Sequence, residues 1–172
     1  MNVLRSPYTR LGWCLAGATS ALALALFLTG PVDSPLFLAS LGGTSVFLFG
    51  LTRAPATQPR ALFGGHLGAA LIGIACYQML GESLCTYVLA LVLALAWMLL
   101  TRTMHPPAGA NPLLMVHAHA GWGALWHPVL LGIVTLVAVA SLWTRLYPGL
   151  ARYPVEPNAP SPARLDWGGW DD

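Results

Sequence analysis

Long apolar runs dominate the chain, each bounded by proline, glycine or a charge. Residues 11–30 and 62–80 hold no charged side chain, 84–100 is the run richest in Leu, Ala and Val, and 128–147 is charged only at Arg145, near its end. A helix rises 1.5 Å per residue, so roughly 20 apolar residues cross a hydrocarbon core of about 30 Å. These four runs predict four spanning helices. Arg5 and Arg10 ahead of the first also fit a cleaved signal peptide, but the run is long for one and more spans follow, which predicts a retained helix. Two shorter apolar stretches remain. Residues 35–51 contain Gly42, Gly43, Thr44, Ser45 and Gly50, and residues 106–116 contain Pro107, Gly109, Asn111 and Pro112. Such punctuation predicts short spans, re-entrant half-helices, or one of each. Irregular backbone at membrane depth survives only where protein or a wet cavity satisfies it, so a packed interior is expected.

The fold class predicted is all-α, a polytopic transmembrane bundle of five to six segments, two of them short or broken. Displacing the chain by 67 residues lays 62–80 on 128–147, 41–50 on 108–117 and Gly42 on Gly109, while 11–30 falls six residues early on 84–100. That rough match suggests a 3+3 inverted repeat, although any six-segment membrane protein gives similar spacing. The organisation expected is a cytoplasmic N-terminus (1–10), a transmembrane domain (11–147) and a flexible tail (148–172) carrying five prolines, Trp167, Trp170, Asp171 and Asp172.

Composition narrows the class. Only 8% of the 172 residues are charged and 56% are hydrophobic, far from the roughly 25% charge of soluble domains. There is no lysine, the arginines stand singly and the net charge is +2, which excludes a nucleic-acid binder. The arginines set a topology. Arg5 and Arg10, Arg53 and Arg60, and Arg102 alternate with Asp33 and Glu82, so if 35–51 crosses, arginines fall on one side and these acids on the other. That places the N-terminus in the cytoplasm. Arg145 and Arg152 put the C-terminus there too if 106–122 crosses. Cys14, Cys76 and Cys85 have no CxxC spacing and read as small span residues.

Candidate chemistry gathers at two places. In residues 101–113, Arg102, Thr103 and His105 precede Pro106 and Pro107, which start helices well, and Ala108, Gly109 and Ala110 allow close approach. Residues 58–66 repeat that grammar with Arg60, Gly64, Gly65 and His66. Free N–H groups at a helix start attract an anion. The simpler readings stand beside this one: Arg60 and Arg102 set topology at the interface, His66 bonds a neighbouring carbonyl, and His105 caps or braces its turn. His117, His119 and His127 lack metal-site spacing, and Glu82 and Asp33 sit alone in loops, so neither metal nor cofactor is expected. Trp13, Trp122, Trp126, Trp143 and Tyr147 read as an interfacial belt. Gly64, Gly65, Gly68, Ala69 and Gly73 give the third span a small face, which suits contact inside the chain or in a homo-oligomer.

With residues 40–50, Gln58-Pro-Arg, Gly64-Gly-His66 and Leu100-Thr-Arg-Thr-Met-His-Pro-Pro-Ala-Gly-Ala, the chain resembles the HPP family of integral membrane proteins over about residues 11–147. Asn111-Pro112 stands where similar sequences carry Thr-Ala, and the added proline is expected to shorten or kink the next helix. The resemblance implies a multi-pass protein, here of a bacterial inner membrane. Some members are linked to nitrite transport. The function expected is a transporter or channel for a small inorganic anion, nitrite first. Its path would run by the two glycine-rich breaks: Gly42, Gly43, Thr44 and Ser45 in one, Arg60, His66, Arg102, Thr103, His105 and Gly109 around the other. The alternative is a non-transporting interaction or sensory module that oligomerises through small faces. No catalytic triad grammar is present, so an enzyme is not expected. The partners expected are the bilayer and the anion.

Overall fold

The computed structural model describes residues 6–30 and 35–164, with backbone alone for 35–38. Arg5, Asp33, Trp167, Trp170, Asp171 and Asp172 lie outside the described residues. Those described form six α-helices with 3-10 turns between them and no strand beyond one isolated bridge.

Proline and glycine mark the helix ends as the sequence suggests. Helix α1 (Pro7–Thr29) starts on a proline whose missing N–H is harmless there and leaves through Gly30 at φ 81°. Helix α2 spans Pro35–Gly50. Helix α3 (Pro59–Leu80) again starts on proline and stops at Gly81, φ 70°. Helix α4 (Leu84–Leu100) is capped by Ser83, whose hydroxyl accepts the Thr86 N–H at 3.1 Å. A 3-10 turn, Pro106–Gly109, leads into helix α5 (Ala110–His117). Helix α6 (Leu131–Leu146) continues from the turns Trp122–Leu125 and Trp126–Leu130, which begin it earlier than expected. Three stretches are long and apolar enough to cross a membrane: Pro7–Thr29, Pro59–Leu80 and Trp122–Leu146. Helix α4, with 17 residues, is apolar but shorter.

Helix α1 packs along α6 and α2, and α3 packs along α4 and α5. Helix α2 reaches across to α5, α6 and the Pro106–Gly109 turn. One core joins Ala21, Ala25, Leu48, Leu62 and Leu136, and a second joins Ala70, Ile74, Leu114 and Met115. The small face of α3 is covered from within the chain. A Cβ on Gly64 would meet Thr103, one on Gly65 would meet Thr103 and His105, one on Gly68 would meet Trp97, and one on Gly73 would meet Pro112. Outside, Leu84, Val88 and Val92 of α4 are more than half exposed, a surface suited to lipid.

The arginines described collect at one end. Arg10 and Arg53 border one cavity, the Arg60 guanidinium donates to the Thr101 carbonyl at 3.0 Å, Arg102 donates to Pro162 and Ala163, and Arg145 donates to Tyr153. Trp13 of α1 stacks on Trp143 of α6 at 4.6 Å, so the start of the first helix and the end of the last share that end. Glu82, His117 and His119 meet at the other.

Two expectations are corrected. Residues 35–51 are short but not broken: Gly42 and Gly43 lie inside a continuous helix. A glycine costs about 1 kcal/mol in a helix interior, less than unpaired backbone costs in an apolar setting. The tail is not a free end over 148–164. Tyr153 is fully buried and its hydroxyl donates to the Thr57 carbonyl at 2.9 Å. Gln58 Oε1 accepts the N–H groups of Val155 and Glu156, Arg60 N donates to Pro157 O, and Met104 N donates to Ser161 O at 2.7 Å. Prolines suit this strap, since it offers carbonyls to the loops, at Pro157 and Ser161, and a proline lacks only the N–H. Pro112 sits in the first turn of α5, where a proline is tolerated; the helix is short, at eight residues, as expected, but not kinked.

Candidate functional site

Five polar side chains from separate segments meet in the interior: Ser40 and Thr44 of α2, His66 of α3, His105 before the 3-10 turn, and Asn111 of α5. Each is at most 2% exposed. Ser40 and Thr44 lie one helical turn apart, so both face α3 and α5. His66 reaches them because Gly64 and Gly65, before it, let the 103–108 segment lie against α3.

The hydrogen bonds assign the tautomers. A carbonyl only accepts, so His105 Nδ1, 2.6 Å from Ala56 O, carries a proton. Asn111 Oδ1 accepts from Ser40 Oγ at 2.7 Å, which fixes its amide orientation. Its Nδ2 donates to His66 O at 3.1 Å and to His66 Nδ1 at 3.0 Å. His66 therefore carries its proton on Nε2 and donates it to Thr44 Oγ1 at 2.9 Å. Thr44 has one proton and two acceptors for it, Ser40 O at 2.8 Å and His105 Nε2 at 3.0 Å. With neutral His105, the Thr44 proton completes a one-way chain from Asn111 through His66 and Thr44 to His105 and Ala56. With protonated His105, Nε2 becomes a donor and Thr44 turns to Ser40 O. The imidazole rings lie 5.1 Å apart, and Phe47 meets His105 edge-on at 5.7 Å. The space beside Ser40, His66 and Asn111 is about 10 Å³, at the lower limit for one water. The site is closed.

Of the residues expected at a path, Thr44, His66 and His105 are brought together. Gly43 packs its Cα against Pro107 beside them, and Gly65 stands under His105. Ser45 faces away and donates to Ala18 O. Thr103 is held by Thr101 and Gly64. Pro106 is exposed, and nothing crowds Gly42 or Gly109. Gly68 lies under Trp97. Arg60 and Arg102 are held by carbonyls at the arginine end and do not reach the cluster. His105 braces the α2–α3 loop and makes no side-chain cap of its own turn. Ser40 and Asn111 were not singled out. Their signal was polarity inside apolar helices, with Asn111 read as a break and as a departure from similar sequences.

Glu82 is not alone. Tyr87 donates to its Oε1 at 2.5 Å, His119 Nε2 lies 2.7 Å from its Oε2, and Tyr77 stacks flat on His119. The Tyr87 hydrogen bond, then that of His119, holds the carboxyl below its ordinary range. Among the described residues no three metal-ligating side chains are placed to hold an ion.

A family model described as "HPP, transmembrane region" matches residues 4–154. Two transmembrane proteins of Dictyostelium discoideum are similar: one is 29% identical over 88% of this chain and 52% of its own length, the other 29% identical over 76% and 50%. The chain thus spans about half the length of these curated relatives. No solved structure matches it.

Proposed function

The chain belongs to the HPP transmembrane family, and from that premise we propose that this integral membrane protein carries a small inorganic anion, nitrite first among candidates, together with a proton. The buried Ser40–Thr44–His66–His105–Asn111 cluster carries the reading. Polar and ionisable groups are costly among membrane helices and tend to mark paths. The cluster offers hydroxyl, amide and imidazole donors but no permanent cation. An anion entering such a site needs a compensating positive charge, and a proton on either histidine supplies it. The 10 Å³ space makes this the occluded form, so α2 and the 103–109 segment must part to admit the anion.

The rest of the architecture supports carriage. Exchanging α1, α2 and α3 with α4, α5 and α6 maps the packing neighbours onto one another: α1 on α6 becomes α4 on α3, and α1 on α2 becomes α4 on α5. We therefore retain six crossings in two inverted halves, with both described ends on the arginine side and that side cytoplasmic. The alternative, a non-transporting sensory or interaction module, has the closed interior in its favour. It loses the small face of α3, which the chain itself covers.

Proteoliposomes decide between them. Nitrite uptake driven by an inward proton gradient is expected, abolished by His66→Ala with folding intact. Nitrate, formate and chloride run beside nitrite. No flux of any of the four from well-folded protein overturns the reading.

A further inference from the structure

A cavity of about 460 Å³ opens at the arginine end between the start of α1, the end of α2, the end of α6 and the strap. Its charged residues are Arg10 and Arg53, and both are exposed. The other bundle arginines there are engaged: Arg60, Arg102 and Arg145 each donate to backbone carbonyls. Among the described residues Arg10 and Arg53 have neither such an acceptor nor an acid partner, the ion pairs there being those of Glu82. The wall between them is apolar and aromatic, made by Trp13, Phe49, Leu51, Trp143 and Leu150. In that wall the Trp13 indole N–H is buried and has no acceptor among the described residues. Next to the cavity on α1, Leu11 and Leu15 are more than half exposed, so it opens beside a lipid-facing surface.

We propose that this pocket is a binding site for the phosphate of an anionic phospholipid. The two guanidiniums hold the phosphate oxygens, and the aromatic wall takes the glycerol and the first part of an acyl chain. Charge complementarity and the apolar wall together choose this occupant. An inorganic anion would use the arginines but leave most of the cavity unfilled. Basic pockets at the cytoplasmic ends of spans recognise lipid headgroups in this way. The site is separate from the histidine cluster and does not rest on transport.

The test is lipid binding to the purified full chain in detergent, read by native mass spectrometry with phosphatidylglycerol, phosphatidylcholine and soluble glycerol 3-phosphate as probes. Two partly exposed charges predict a preference of about thirtyfold for phosphatidylglycerol over phosphatidylcholine. Arg10→Gln with Arg53→Gln removes that preference, while Arg152→Gln, outside the pocket, keeps it. An unchanged preference in the double variant overturns the proposal. Competition by glycerol 3-phosphate at equal concentration reassigns the pocket to a free phosphate compound and overturns the lipid. Should the double variant not fold, photoactivatable phosphatidylglycerol on the unaltered chain gives the answer: crosslinks within 10–15, 49–54 or 143–151 support the site, and crosslinks only elsewhere overturn it.

Discussion

The Thr44 hydroxyl has one proton to share between two acceptors, and His66 donates to it from a third side. Thr44→Val keeps the shape and removes the hydroxyl, leaving the His66 Nε2–H and His105 Nε2 without their partner in a dry interior. The expected cost is about 1–3 kcal/mol, read as a Tm several degrees lower in detergent. Thr44→Ser restores most of it. A Val variant as stable as the wild type would show that the hydroxyl does not hold the histidines. At this scale the sequence was half legible. Thr44, His66 and His105 stand out because polar residues in apolar surroundings are conspicuous. Ser40 and Asn111 did not, because a hydroxyl beside glycines and an amide beside prolines both read as helix punctuation. For Arg60 and Arg102 the sequence left two readings open, path or interface, because spacing along the chain does not say which carbonyls will hold a guanidinium.

Among the elements, α3 is the one against which the others are fitted. A Cβ on Gly68 would lie 1.9 Å from the Trp97 indole nitrogen, and one on Gly73 would lie 2.6 Å from Pro112 Cα. The longer distance is the worse clash. Trp97 is 43% exposed and its ring can swing outward at the cost of its N–H bond to Gly64 O, whereas Pro112 is backbone at the start of α5. Gly73→Ala should therefore cost about 1–3 kcal/mol by displacing α5, and Gly68→Ala should cost less. The reverse order in thermal unfolding would contradict this account of the packing. At the other end, Glu82 joins the α3–α4 turn to Tyr87, to His117 at the end of α5 and to His119 after it. Its carboxyl is held below the ordinary value of 4.5, so ionised Glu82 favours the fold. That contribution is complete above pH 4.5 and fades as the pH falls through the lowered value. The Tm difference between wild type and Glu82→Gln should shrink on acidification below 4.5, and a constant difference would contradict the linkage. The run lengths foretold α1, α3 and α4 well, since apolar length is what a bilayer selects. They did not foretell that α2 runs unbroken, because the glycine signal is silent about the packing that supports a helix.

For the molecule as a whole, the strap after α6 is the part least legible in the sequence. Proline density reads as disorder when the only partner considered is water. Here the partners are the loops at 51–58 and 101–104, which present acceptors and donors at one end of the bundle. Tyr153 is the anchor, fully buried with its hydroxyl on Thr57. Tyr153→Phe should cost about 1 kcal/mol for the lost hydrogen bond. Tyr153→Ala should cost about 3–5 kcal/mol for the lost ring, with a Tm fall of roughly 10 °C. Equal, small effects would mean that the strap lies on the bundle without holding it.

The strap also orders the protein's birth. Arg60 N and Met104 N find their carbonyl partners on residues 157 and 161, which leave the ribosome after all six described helices. Each described span can enter the membrane as it emerges, but the loops at the arginine end stay unfinished until the strap has followed them out. Final closure of the bundle thus waits on the strap, and a nascent chain cut short before Tyr153 would be inserted yet unlatched.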